Sequence, residues 1–173
     1  VAIGRSVLEM RRPQDVESVL RTFYDQLRLC GAEVDVLTYH QLLDRKRQTV
    51  SSYRLKPDGR FEHLERSLGW VWSRWQSHET TYIGREDRSV HGIRVRSTLY
   101  TPHERGLVTV LSSQEDAFGE RHQELVRRLV APLSLGFARL KDLEEAEARA
   151  QEIATQESRV REEKEFADSL LAS

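Results

Sequence analysis

With 173 residues the chain has room for one domain and an extension, and length alone favours one domain over two. Its 27 basic and 28 acidic side chains leave a net charge of -1, so no global field draws a polyanion, and nucleic acid is not expected as a partner. Charged residues make up 32% of the chain and mean hydropathy is -0.61, which places part of it outside any core, and no run approaches the roughly 18 apolar residues of a membrane span.

The first twelve residues, VAIGRSVLEMRR, lack the basic segment and long apolar core of a signal peptide, so a cytoplasmic protein is expected, with residues 1–12 as a helical lead-in. The absence of an initial Met and the mid-helix character of the C-terminal LLAS suggest a piece of a larger protein. Residues 13–30 predict the first helix. Pro13 and Asp15 suit its start, Val16, Leu20, Phe23 and Leu27 form its apolar stripe, and Gly31 suits its end. The single cysteine, Cys30, falls at that end and excludes an internal disulfide or a multi-thiolate metal site.

Residues 33–40, EVDVLTYH, alternate as a strand whose Val34, Val36 and Thr38 share one face. Residues 49–55 predict a second strand, followed by a turn at Lys56-Pro57-Asp58-Gly59. Arg45, Lys46 and Arg47 between the two read as an exposed loop. Residues 61–88 are the least regular part. Within them Leu68, Val71, Trp72 and Trp75 recur at helical spacing, Trp70 lies off that stripe, and Tyr82 and Ile83 begin an extended piece. Trp70, Trp72 and Trp75 either wall a ligand pocket or fill a core beneath a sheet, since aromatic rings give large contact area at little entropic cost.

Residues 91–100 predict one strand, with Ile93, Val95 and Leu99 on one face and Arg94, Arg96, Thr98 and Tyr100 on the other. Arg94 and Arg96 could hold a carboxylate or phosphate in bidentate fashion, or be salt-bridged to the protein at a solvent-facing sheet surface. Residues 97–100 extend toward a turn at 101–106 that includes Pro102, and Leu107 to Leu111 return as a strand apolar enough for burial on both faces. Beyond Phe118 the period becomes helical through Leu125, Val126, Leu129, Leu133, Phe137 and Leu140. Pro132 removes the helical donor to the Arg128 carbonyl, so a bend is expected there.

Catalytic constellations are absent. There is no phosphate-cradling Gly-rich loop, nucleophile elbow or paired zinc motif, and the six histidines are scattered. His78 and His91 fall nearest the proposed pocket and are the only ones to suggest haem ligation. From Leu143 onward, Leu143, Ala146, Ala150, Ile153, Glu157, Val160, Lys164, Ala167 and Leu171 alternate steps of three and four. This is a heptad seam with small or charged residues at half its positions, suited to a helix pair with nearly equal alternative packings, or else a solvated single helix held by i,i+4 pairs.

The succession S-x-L-x-x-P, a short turn, G-L-V-T-V-L, then F-x-E with L-x-x-x-L-x-x-P-L-x-x-x-F-x-R-L-x-x-L-E, over residues 97–145, resembles the C-terminal half of a GAF domain, the small sensory module of signalling proteins. The resemblance extends more loosely from about Asp15 to Leu143. It implies an α/β fold of the α+β kind, a GAF-like antiparallel sheet flanked by helices with a long C-terminal coiled-coil helix. The divisions are a lead-in at 1–12, a sensory domain at 13–142 and a signalling helix at 143–173. It also implies a ligand, where there is one, between the sheet and the helices and loops near the tryptophans. Trp70, Trp72, Trp75, Tyr82, His91, Arg94 and Arg96 are the candidates to line that site.

The known ligand classes of the family do not lie easily on this chain. Its lack of asparagine removes the Asn-Lys-Phe-Asp-Glu constellation of cyclic-nucleotide binders. Cys30 is misplaced for the usual in-domain bilin attachment, and one cysteine is too few for the methionine sulfoxide reductases of this fold. The cofactor is therefore unknown. The expected role is that of a non-enzymatic sensor in a bacterial signal-transduction or two-component protein. It would form a parallel homodimer through Leu143, Ala146, Ala150, Ile153, Val160, Ala167 and Leu171, and pass ligand or partner state to a histidine kinase or a nucleotide or dinucleotide cyclase in cis. A ligand-free dimerisation module is the alternative, and neither reading involves a membrane.

Overall fold

A computed structural model describes Met10, Arg12 and residues 14–172. The expected helical lead-in lies outside the described residues except for Met10 and Arg12, and so does Pro13. The chain divides into two compact units, one reaching Ala138 and the other beginning at Arg139.

In the first unit, α1 (Asp15–Leu29) buries Val16, Val19, Leu20, Phe23 and Leu27 along one stripe, as its periodicity requires. Its backbone closes at Gly31, whose φ of 85° is a left-handed conformation that costs glycine nothing. The strands are β1 (Val36–Leu42), β2 (Thr49–Leu55), β3 (Phe61–Ser67), β4 (Thr81–Ile83), β5 (Arg88–Val90), β6 (Ile93–Val95), β7 (Ser97–His103) and β8 (Gly106–Ser112), with α2 (Gly69–Gln76) between β3 and β4. Among the described residues β3-β2-β1-β8-β7-β4 form one six-stranded sheet in that spatial order, antiparallel throughout, while β5 and β6 pair separately. The fold class expected from the sequence is thus the one observed.

Because side chains alternate along a strand, register fixes which residues share a face. Thr38 opposes both Arg54 and Thr109, and Tyr100 opposes Thr109. Thr38, His40, Arg54, Thr109 and Tyr100 therefore lie on one face. Tyr39 and Tyr53 lie on the other, where the ring of Phe137 stacks on Tyr39 at 3.9 Å and meets Tyr53 at 5.5 Å. Phe137 belongs to α3 (Glu120–Ala172), whose first turns bury Val126, Leu129, Val130 and Leu133. His122 of the same helix donates from Nε2 to the Cys30 carbonyl at 2.9 Å, tying it to the end of α1. β8 lies near the middle of the sheet and is buried along its whole length, in keeping with its run of apolar residues. Its first residue has to be small, because a Cβ on Gly106 would come within 2.1 Å of the His40 carbonyl oxygen.

Several boundaries differ from expectation. β1 starts at Val36 and runs on to Leu42, beyond the strand read over residues 33–40. β3 is a full strand where no regular element was evident. Its FEHLERS sequence, largely exposed at the edge of the sheet, shows no apolar alternation because neither face is fully covered. The turn predicted over residues 101–106 is shorter. β7 continues through Pro102 to His103, and only Glu104 and Arg105 remain between the strands. β4 pairs only as far as Tyr100, so on that side nothing waits for the N–H that Pro102 lacks. The stretch 91–100 is two strands rather than one, parted at Arg96. In consequence Ile93 and Val95 pack with Val36 and Leu111, whereas Leu99 registers with Val110 on the opposite face.

α3 continues through Pro132 as helix. In the second unit, from Arg139 onward, Ile153, Val160, Phe166, Leu170 and Leu171 are exposed apolar side chains and Leu143 is at least one-third exposed. No helix among the described residues is long and apolar enough to cross a membrane.

Candidate functional site

The sheet face carrying Thr38 and Arg54 is covered at its two ends and open between them. At one end α2 lays Val71 and Trp72 against Val50, Tyr100 and Leu107, with Leu42, Leu68, Trp75 and Ile83 at the margin. Trp72 donates from Nε1 to the Thr49 carbonyl at 3.3 Å and Trp75 to the His103 carbonyl at 2.8 Å, so the buried Trp72 and the half-buried Trp75 are both fastened by their polar edges. At the other end the β5–β6 hairpin places Val90, Ile93 and Val95 over Val36 and Leu111. Its two-residue turn is His91-Gly92 with φ of 53° and 78°, a left-handed pair matching the twist of a hairpin.

A cavity of about 510 Å³ remains between these covers, in the range of roughly 300–1,000 Å³ typical of small-molecule sites. Its lining includes Thr38, His40, Arg54 and Thr109 from the sheet, Trp70 and Arg74 from α2, and Arg66, Arg88 and His91 from the strands and hairpin around it. Among the described residues four arginines line it and no carboxylate does.

Arg54 is the deepest of them. Its side chain is 5% exposed. Nε donates to Thr38 Oγ1 and Nη1 to Glu62 Oε2, both at 3.1 Å, and among the described residues Nη2 has no acceptor. Burial lowers its pKa from the usual guanidinium value, against the opposing hydrogen bond and charge of Glu62. Arg88 is tied down by Glu86 at 3.3 Å and donates from Nη2 to Thr98 Oγ1 at 3.1 Å. Arg74 lies over the Tyr100 ring, 4.4 Å from its centre. Among the described residues neither Arg66 nor Arg74 has a carboxylate within ion-pair distance.

His40 is 1% exposed, hydrogen-bonded through Nδ1 to Ser52 Oγ at 2.7 Å, with Trp70 edge-on at 5.2 Å. Burial pushes its pKa down to about 3, and Arg54, Arg66 and His91 add to the effect. His91 is held at about 4, again by burial first, with Arg54 next and Glu62 opposing. Both imidazoles are therefore neutral at pH 7. Thr109 Oγ1 is buried in the lining and among the described residues has no hydrogen-bond partner, an exception to the general satisfaction of buried hydroxyls.

The seven sequence candidates separate in space. Trp70 and His91 line the cavity, Trp72 and Trp75 belong to the apolar cover beside it, and Trp70 is 45% exposed. Tyr82 registers with Leu99 on the other face and accepts the Phe118 backbone N–H at 3.2 Å. Arg94 forms a bidentate pair with Asp87, both bonds at 2.7 Å, and Arg96 pairs with Glu115, so both arginines hold protein carboxylates. His78 is exposed and packs edge-on against Trp75. Thr38, His40, Arg54, Arg66, Arg74, Arg88 and Thr109 were missed. The available signal was in β1, where Thr38 and His40 alternate with Leu37 and Tyr39.

The Ser52–His40 pair has the elements of a nucleophile and a base, but not their properties. A base with a pKa near 3 has little power to take a serine proton at neutral pH, and Ser52 is buried and is not part of the cavity wall. Among the described residues no group of three or more His, Cys, Asp or Glu side chains could hold a metal ion.

No protein-family model matches the chain, and no curated protein does. Solved structures do. The GAF domain from an Acinetobacter phosphoenolpyruvate-protein phosphotransferase is similar with a TM-score of 0.60 and 18% identity, over 82% of this chain and 91% of that one. The free methionine-R-sulfoxide reductase from Neisseria meningitidis, solved in complex with its substrate, is similar with a TM-score of 0.55 and 16% identity, over 81% and 86% of the respective chains. With its six-stranded antiparallel sheet, flanking helices and long C-terminal helix, the chain has the fold of a GAF domain.

Proposed function

We propose that this chain is a sensory and regulatory domain that binds a small molecule on the open sheet face and passes the bound state along its C-terminal helix. The observation that carries the reading is the cavity of about 510 Å³, partly apolar and lined by convergent guanidiniums, a buried hydroxyl without a partner and histidines held neutral. That the Neisseria protein of this fold was solved with its substrate supports a small-molecule role for the fold.

The strands that floor the cavity also carry the core of the opposite face. Thr38 faces the cavity and its neighbour Tyr39 stacks on Phe137, so a ligand that shifts β1 acts on α3 at Phe137. We take the exposed seam of Leu143, Ala146, Ala150, Ile153, Val160, Ala167 and Leu171 to be the contact of a parallel homodimer. The output would be a histidine kinase or a nucleotide or dinucleotide cyclase in the same cytoplasmic polypeptide, and the domain itself would be regulatory rather than catalytic.

Native mass spectrometry of the purified chain, followed by a denaturing run, tests this. A dimer that releases a small molecule supports the sensor. A dimer of bare polypeptide that also fails to bind added small molecules would favour a ligand-free dimerisation module.

A further inference from the structure

The cavity specifies the charge of what it takes. An arginine buried to 95% of its side chain is costly unless its charge is met, and Glu62 meets Arg54 through Nη1 alone. The remaining nitrogen, Nη2, has no acceptor among the described residues. Arg66, on the neighbouring edge strand, faces the same cavity with no carboxylate in ion-pair range among the described residues. Glu62 and Glu86 each pair with one of the four guanidiniums, and among the described residues no carboxylate is itself part of the wall. Among the described residues Arg66 and Arg74 are left without a carboxylate, so the wall carries an excess of positive charge. Trp70 and Tyr100 bound the cavity with aromatic surface, their ring centres 6.1 Å apart, and Trp70 leaves nearly half its area uncovered. Thr109 Oγ1 supplies a buried hydroxyl still lacking a partner.

We propose that the cavity binds a planar aromatic anion, its carboxylate or phosphate held by Arg54 Nη2 and Arg66 and its ring against Trp70, with Thr109 hydrogen-bonding to a polar substituent. Guanidiniums match the geometry of both oxyanions, and the aromatic wall selects an unsaturated body over a flexible one. A cationic ligand is repelled by the same four arginines. This assignment rests on the ligand-sensing reading and narrows it to a class.

Matched pairs test it by titration against tryptophan fluorescence and by calorimetry at low salt. The pairs are benzoate with benzamide, indole-3-carboxylate with indole-3-carboxamide, and phenyl phosphate with phenol, alongside inorganic phosphate. At least one anion is expected to bind about tenfold or more tightly than its neutral partner, a difference of about 1.4 kcal/mol. Arg66→Ala, a change on an exposed edge strand, should reduce that binding about tenfold while leaving the far-UV spectrum unchanged, and the carboxylate and phosphate members tell the two oxyanions apart. Neutral members binding as well as the anions would overturn the anionic class and leave the sensor reading standing. Inorganic phosphate binding as tightly as any aromatic anion would overturn the aromatic requirement. Full binding to Arg66→Ala would overturn the placement of the charge, and binding by no member of either set would overturn both this proposal and the sensor reading.

Discussion

Arg54 donates to Glu62 across the outer pair of strands at 3.1 Å, and the two are unequally buried: 5% of the arginine side chain is accessible against 28% of the glutamate. The glutamate thus serves the stability of β2 and at the same time offsets charge beneath the cavity. Glu62→Gln should lower stability by about 1.5–3 kcal/mol, the range for a hydrogen bond to a charged group. It should also tighten the binding of indole-3-carboxylate severalfold, because one more guanidinium is left unbalanced. Urea unfolding and calorimetry measure the two effects, and a loss of both stability and anion binding would contradict the dual role.

Acid should destabilise the protein well before its carboxylates titrate. His40 and His103 have folded pKa values pushed by burial to about 3 and about 4, from 6.5. Both are therefore neutral in the fold, while the unfolded chain takes up protons below about 6.5. Stability is full above that pH and falls as pH drops toward 4, by about 1.4 kcal/mol per unit for each group, or roughly 4 kcal/mol for the two at pH 5. His91 adds a smaller share because it is only partly buried. His40→Gln should remove about one such slope, as urea melts at pH 7 and pH 5 would show. Parallel pH dependences in the variant and the parent chain would count against a buried neutral His40.

On the opposite face, the Tyr39–Phe137 stack predicts a large cavity cost. Phe137 is fully buried, so Phe137→Ala should cost about 3–5 kcal/mol. A loss below about 1 kcal/mol in chemical denaturation would mean that α3 does not depend on this contact.

The heptad reading makes its own prediction. Leu143→Glu places a charge in the proposed seam and should shift the chain from dimer to monomer in sedimentation velocity, with little change in helix content. A dimer of undiminished strength would remove Leu143 from the contact.

How far these elements could be read from the residues depended on how many of their surfaces are covered. α1 has one buried stripe, and β2 and β8 are covered on both sides, so periodicity or a continuous run marked them. β3 has the hydrogen-bonding register of a strand but little of its apolar alternation, because it lies exposed at the edge. The break at Arg96 was hidden for another reason: the residues on either side of it suit extended chain equally well, and only their packing shows that the faces exchange. Trp70, which the sequence singles out by aromatic clustering, and His91, which it singles out by position, both fall in the cavity lining. Arg54 is not singled out, since an arginine in a strand reads as a solvent-facing residue until register sets it over Thr38 beneath a cover. Arg94 and Arg96 had the right chemistry, but Asp87 and Glu115 have taken it up.

The alternation that separates Thr38 from Tyr39 also separates two kinds of evolutionary freedom. On β1 and β2 the even-numbered positions face the cavity and the odd-numbered ones face the aromatic core, while on β8 the parity is reversed. Residues 38, 40, 54 and 109 can therefore be varied together to recognise a different molecule without disturbing the positions that seat α1 and α3. A combinatorial library confined to them would explore new specificities on a scaffold whose supporting side is left untouched.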